Sequence, residues 1–350
     1  MSRPRIESIE TVDCSDLVMP GDDAYLIAVR AAGHTGWYGP VSGPVAILLD
    51  TCVAPFAIGV PVVDHDNLLI RLHRALGAPL GTLASWAIGA LDCAVWDLHG
   101  RMEERPVSVL LGSSGDQSAV PAYASWLRLD LGAGFSARMV RRVAGQGWWF
   151  TKWSLRPDPQ LDVEADAKRL ALIVRQVSET VGAPAAFDAL WSWDDALMLR
   201  FGELVDPAGL VWLEEPLNAY DMARYGALAT PRPPLALGER LHLGDDPMPL
   251  LGLPALRAFT PDVVGCGGLT AALSMVRQAM AIGVPVYPHG RSLVPAVHLA
   301  AAFPDAVAAV EYQVQWEPRR QTLFVDPIQC DAGRALVPEA PGLGLTPRRR

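Results

Sequence analysis

Five ionisable residues stand at the ends of apolar runs between residues 183 and 290: Asp188 (AAFDALW), Glu214 (GLVWLEEP), Glu239 (PLALGER), Asp262 (AFTPDVVG) and His289 (VPVYPHG). Their spacings are 26, 25, 23 and 27 residues. Each interval holds one strand, one helix and two short loops, the crossover a parallel strand needs before its neighbour. In a closed parallel barrel, side chains at successive strand ends converge on one mouth, and charged residues there read as catalytic. Three carboxylates brought together repel unless a cation lies between them. Asp188, Glu214 and Glu239, completed by water and substrate, suit Mg2+, which takes near-octahedral oxygen coordination. Asp262 and His289 fall on neighbouring strands, where a carboxylate holds the imidazole tautomer and raises its basicity.

Two further residues join this set. Lys152 lies among Trp149, Phe150 and Trp153 in WWFTKWSL. Burial there is expected to lower its pKa toward that of a usable base or acid. Glu311, in VAAVEYQV, reads either as a protonated donor to a substrate carboxylate or as an acceptor behind the site. Glu215 turns to the opposite face from Glu214 by strand alternation and reads as structural, paired with a basic residue. His298 reads as a packed helical histidine, and His242, close to Glu239, as a weaker site candidate. The Gly/Pro-rich stretch GHTGWYGPVSGP reads as a hairpin loop or as a lid. As a lid it makes His34 and Tyr38, with Trp37, substrate-binding candidates.

The elements that position these residues follow from periodicity. Strands are expected at 120–125 and 148–155, then before each of the five spaced residues, with an eighth at 307–314. Helices are expected at about 161–181 and at 268–283, the latter ending in a glycine stop. Upstream, IESIETVDC, AYLIAVRAA and VAILLD read as short strands, and 64–112 as helical. Asp92 and Asp97 lie inside the apolar helix and are expected to be structurally paired. The Gly/Ser content of LLGSSGDQ, residues 110–117, marks a boundary. The expected units are 1–117, a barrel at 118–325 and a segment at 326–350 that packs back on the first.

The totals bound the function class. The chain has 350 residues, 51% hydrophobic, with mean hydropathy +0.20, enough for a large core and a smaller second one. A net charge of −9 disfavours nucleic-acid binding, which relies on basic surface. Five cysteines with no CxxC point to reduced thiols and a cytoplasmic setting. The apolar window TLASWAIGALDCAVWDL is broken by Asp92 and Asp97, so no membrane span is expected, and the first residues lack the apolar core of a signal peptide.

Taken together, these residues resemble the enolase superfamily in its mandelate racemase-like subgroup. Lys152 matches the second lysine of the K-x-K motif. Asp188, Glu214 and Glu239 match the three metal ligands, Asp262 and His289 the Asp–His dyad, and Glu311 the strand-eight glutamate. FDALWSWDDA is similar to strand three of acid-sugar dehydratase-like members. The resemblance implies an α/β fold, a (β/α)7β modified TIM barrel with an α+β capping domain, and Mg2+-assisted removal of the proton α to a carboxylate. The expected reaction is dehydration of a sugar acid, aldonate or aldarate, to a 2-keto-3-deoxy acid. Racemisation, epimerisation or cycloisomerisation by the same enediolate chemistry is the alternative, and a non-catalytic sugar-acid-binding barrel the alternative of another class. A homo-oligomer is also implied. Phe150 replaces the first lysine of K-x-K, and Leu190 stands where many members place Asn.

Overall fold

The computed structural model describes residues 3–132, 136–218, 221–228 and 233–348. The N-terminal part carries an antiparallel sheet of β1 (Ser8–Asp13), β2 (Tyr25–Ala31) and β3 (His34–Val41). Helices α1 (Gly43–Leu48), α2 (His65–Leu72) and α3 (Ala78–Met102, broken at Gly81) follow. Two expectations are corrected here. The stretch read as a loop or lid is β3, because the hairpin turn comes earlier, at Ala32 and Gly33, both at positive φ as a two-residue turn requires. VAILLD is helical, not a strand. Pro44 opens α1 with a preset φ and the helix buries Val45 and Ala46; a short apolar run does not distinguish the two states.

The rest of the chain alternates strand and helix. Strands β4 (Ala119–Trp126), β5 (Thr151–Ser154), β6 (Ala185–Asp188), β7 (Leu210–Glu214), β8 (Leu235–Leu237) and β9 (Leu256–Phe259) pair in parallel in chain order, and β10 (Val310–Gln313) pairs with β4. The seventh strand is reduced to Val286, which bridges Phe259 on one side and Val307 on the other and so closes the barrel. Between the strands run α4 (Ser136–Ala144), α5 (Val163–Val181), α6 (Asp195–Leu204), α7 (Met222–Leu228), α8 (Leu269–Ala281) and α9 (Leu293–Ala302). Asp162 caps α5, accepting from Ala165 N at 2.8 Å, and Gly182 ends it in the left-handed conformation. Inside the barrel, Tyr123 and Trp212 fill the space left by Ala186, Ala236, Ala258 and Ala309. Phe150 stacks on Tyr123 with centroids 4.5 Å apart. The position where the resemblance expects a lysine is therefore part of an aromatic floor.

The last residues return to the capping helices. Asp97, fully buried on α3, accepts from Trp37 N (2.7 Å), Arg101 Nε (2.6 Å) and Leu343 N (2.6 Å). A side chain on Gly342 would place its Cβ 2.2 Å from Asp97 Oδ1. Asp92 accepts from Thr270 N and Oγ1, tying α3 to the start of α8. His298, buried on α9, accepts from Ser108 N at 3.1 Å. Burial pushes its pKa down to about 4. A folded pKa below the unfolded value of ~6.5 contributes stability that is complete above pH ~6.5 and lost as pH falls toward 4. Acidifying from pH 7 to 5 is expected to cost about 2 kcal/mol through this residue. Denaturant titrations of His298→Gln should show that much less pH dependence than the unsubstituted protein. Among the described residues no helix is long and apolar enough to cross a membrane.

Candidate active site

The barrel registers place Ser154 opposite Asp188 and Asp188 opposite Glu214, so consecutive strand ends lie level. Glu239 follows two residues after β8. The three carboxylates each offer an oxygen within 4.8 Å of the others. Burial first, and then the neighbouring carboxylates, raise the pKa values of Asp188, Glu214 and Glu239 above the usual range. Asp188 Oδ2 is buried and makes no hydrogen bond; its nearest cation is Lys152 Nζ at 3.7 Å. A buried, donor-free oxygen beside two more crowded carboxylates is a donor set that a divalent cation satisfies.

Lys152 is fully buried, with Nζ 2.6 Å from Glu214 Oε1 and 3.2 Å from Glu311 Oε1. The downward pKa shift expected for this amine is overturned. Burial does disfavour the ammonium, but Glu214 and Glu311, then Tyr123 and Asp188, outweigh it and hold the pKa well above the usual lysine value. Glu311 is held low: burial opposes its charge, but Lys152 and His289 favour it, and Oε2 accepts from Gly290 N at 2.9 Å. It is an acceptor here. Glu214 is fixed on its second oxygen as well, where Trp212 Nε1 donates at 2.9 Å.

His289 closes the other side. Its Nδ1 faces Asp262 Oδ2 at 3.1 Å and its Nε2 lies 3.4 Å from Glu239 Oε1. Burial lowers its pKa, but Glu239, Glu311 and Asp262 raise it, to about 10. Asp262 is itself locked: Oδ1 accepts from Val264 N, Gly265 N and Ser292 Oγ at 2.7–2.9 Å. The glycine after His289 is required by close approach, since a Cβ on Gly290 would lie 2.8 Å from Glu311 O and Gln313 Cγ. Gln313, level with Ser125 across the β10–β4 pair, has its Nε2 3.4 Å from His289 Nε2.

Above this cluster lies a cavity of about 550 Å³ reached by Glu239, His289, Gln313 and Arg128, with Leu190 and Trp191 on the wall. Leu190 and Trp191, two and three residues after Asp188, both hold positive φ (54° and 57°), a strained turn of the kind that clusters at functional sites. Leu190 brings no polar group to the wall. His34 and Tyr38 are not brought to this cavity. His34 sits exposed at the hairpin end of β3, opposite Ala31, and Tyr38 is buried in the core. Their sequence reading fails because the Gly/Pro-rich stretch is a strand. Glu215 is buried and accepts from Gly238 N at 2.9 Å. His242 bonds Thr82 Oγ1 at 2.9 Å on α3 rather than joining the carboxylates. Trp212, Ser292, Gln313 and Arg128 were not among the sequence candidates. For Trp212 and Gln313 a signal existed: each lies two residues from a selected glutamate on the same strand face.

The chain is similar to known proteins along most of its length. Residues 135–350 match the family described as Enolase C-terminal domain-like, and residues 23–112 the Mandelate racemase / muconate lactonizing enzyme, N-terminal domain. The L-talarate/galactarate dehydratase of Salmonella typhimurium is 27% identical over 300 residues, covering 84% of this chain and 71% of that protein. The D-galactarolactone cycloisomerase of Agrobacterium fabrum is 27% identical over 335 residues, covering 89% and 85%. A crystal structure of L-talarate dehydratase from a Polaromonas species, complexed with Mg and L-glucarate, superposes with a TM-score of 0.79. It is 30% identical, with 99% of this chain and 95% of that one covered. The chain belongs to the enolase superfamily, in its mandelate racemase/muconate lactonizing enzyme branch.

Proposed function

We propose that this chain removes the proton α to the carboxylate of a sugar acid with the help of Mg2+, and that the reaction runs on to loss of water and a 2-keto-3-deoxy acid. The observation that carries this is the meeting of Lys152 Nζ and His289 Nε2 on one carboxylate cluster, 2.6 Å from Glu214 and 3.4 Å from Glu239. Asp188, Glu214 and Glu239 are the proposed metal ligands. The L-talarate dehydratase relative, solved with Mg and L-glucarate, supports both the ion and the substrate class. Held by those three carboxylates, Mg2+ would supply positive charge beside the substrate carboxylate, where negative charge builds as the α-proton leaves.

The residues then divide the proton work. Asp262, acceptor-only when ionised, fixes the proton on His289 Nδ1, which leaves Nε2 as the ring atom that exchanges a proton with substrate. Lys152 presents N–H groups from the side of Glu214 and Glu311. One of the two takes the proton from Cα; the other donates a proton to the β-hydroxyl, which departs as water, and the enol tautomerises to the keto acid. Glu311 accepts from Gly290 N and holds the loop that carries His289.

A second reading has its own support. Two proton-exchanging groups flanking one site also serve epimerisation or ring isomerisation, and the cycloisomerase relative is as similar as the dehydratase. A panel of aldonic and aldaric acids incubated with Mg2+ in D2O separates them. 2-Keto-3-deoxy product is the expected result. α-Deuterium in recovered acid without keto product assigns the isomerase reading, and no reaction with Mg2+-dependent binding assigns a non-catalytic binder. Homo-oligomeric assembly and a cytoplasmic setting belong to the same proposal; the five free cysteines suit a reducing compartment, and light scattering reads the assembly.

A further inference from the structure

We infer that the mouth of the cavity holds a subsite for a second anionic group, built on Arg128, and that the substrate is a diacid sugar, an aldarate, rather than a monoacid. This rests on the reaction proposed above. Four arginines line the cavity: Arg128, Arg291, Arg319 and Arg320. Three have carboxylate partners within the protein, Arg291 with Asp23, Arg319 with Asp22 and Arg320 with Glu317, each at 3.0 Å. Among the described residues the Arg128 guanidinium has none.

Arg128 is nevertheless held in place. Its backbone N donates to Gln315 Oε1 at 3.0 Å, which ties the loop after β4 to the loop after β10. Its guanidinium lies over the Trp316 ring, 5.5 Å from the centroid. Stacking uses the face of the guanidinium and leaves its N–H edge available for a planar, two-oxygen partner. A carboxylate is such a partner; a terminal hydroxyl is not, since it offers one oxygen and no charge.

The wall between Arg128 and His289 is also made of donors. Gln313 Oε1 accepts from Arg320 Nη1 at 2.9 Å. Arginine only donates, so the Gln313 oxygen must face Arg320, and its NH2 must face His289 and the cavity. Buried contacts from Glu317 to Arg320 and Gln321 lock that orientation. Spacing fits a six-carbon chain. Arg128 lies three residues beyond Ser125, which is level with Lys152, so its Cα stands at most roughly 10 Å above the reacting level. Five C–C bonds of an extended chain span about 6 Å, which leaves room for one guanidinium–carboxylate contact.

The test compares six-carbon aldarates, each against the aldonate of the same configuration, using the Mg2+-loaded protein. The aldarate is expected to be favoured at least tenfold in kcat/KM. Arg128→Gln is expected to cut that ratio at least tenfold, with Arg128→Lys intermediate. A preference for aldonates, or a ratio unchanged in Arg128→Gln, overturns the subsite. If no acid is turned over, the reaction proposal falls by itself. Calorimetry with the same aldarates then decides the subsite: binding at least tenfold weaker in Arg128→Gln supports it, and equal binding overturns it. A melting temperature for each variant separates misfolding from loss of the contact.

Discussion

The His289→Asn variant is expected to bind Mg2+ as the unsubstituted protein does and to lose about 10²–10⁴-fold in kcat, the usual contribution of a positioned acid or base. Asn keeps an N–H that can donate to Asp262, so the hydrogen-bonded shell of Val264, Gly265 and Ser292 around that carboxylate is preserved. What disappears is Nε2, the ring atom 3.4 Å from Glu239 that is proposed to exchange a proton on that side of the cluster. Single-turnover rates of product formation, read beside calorimetric Mg2+ titrations, check both halves. A variant retaining more than about a tenth of the wild-type kcat takes His289 out of the mechanism.

The Asp188→Asn variant should move stability and metal binding in opposite directions. In metal-free protein, ionised Asp188 sits buried beside Glu239, and its Oδ2 makes no hydrogen bond. Asn keeps an oxygen for Leu190 N, which donates to Oδ1 at 2.8 Å. Its amide NH2 replaces the donor-free oxygen with a donor facing carboxylates. Burial, with Glu239 and against Lys152, raises the folded pKa of Asp188 to about 6. For a carboxyl group a raised folded pKa means stability is lost as pH climbs through that value. The variant should therefore exceed the wild type by about 1–3 kcal/mol in EDTA at pH 8, the difference closing below pH 4. Its Mg2+ affinity should fall at least about 100-fold, since even outer contacts to metal ligands are worth 10–100-fold. A wild-type apoprotein as stable as the variant at pH 8 contradicts this account of the crowded carboxylates.

Much of the architecture was legible because a parallel barrel repeats a strand, a tip and a helix at nearly constant length. Asp188, Glu214, Glu239, Asp262, His289 and Glu311 all arrive at the mouth for that reason. The repeat says little about the seventh strand, which survives as Val286 alone, wedged between prolines that cannot donate to a ladder. The sign of the Lys152 shift was not legible either. Burial is visible in an aromatic run, but the opposing charges, Glu214 and Glu311, lie 62 and 159 positions away, and only their distances decide whether they outweigh it. Arg128, Arg291 and Arg319 had no spacing signal, because loops with no common period bring them together. VAILLD and the stretch holding His34 and Tyr38 failed locally, where one proline and one turn placement determine helix against strand.

The two acidic residues at 22 and 23 grip Arg319 and Arg291 from positions 297 and 268 residues distant, so the lip of the cavity is shared property of the N-terminal loop and the last barrel turns. Chimeras that graft the first hundred or so residues of one homologue onto the barrel of another should respect that coupling. A donor lacking acids at the lip would strand two guanidinium groups above the reaction chamber and hand them to whatever anion arrives first. Recombination that transfers positions 22, 23, 291 and 319 as a set would keep those two pairs neutral and leave selectivity to Arg128 and the wall beneath it.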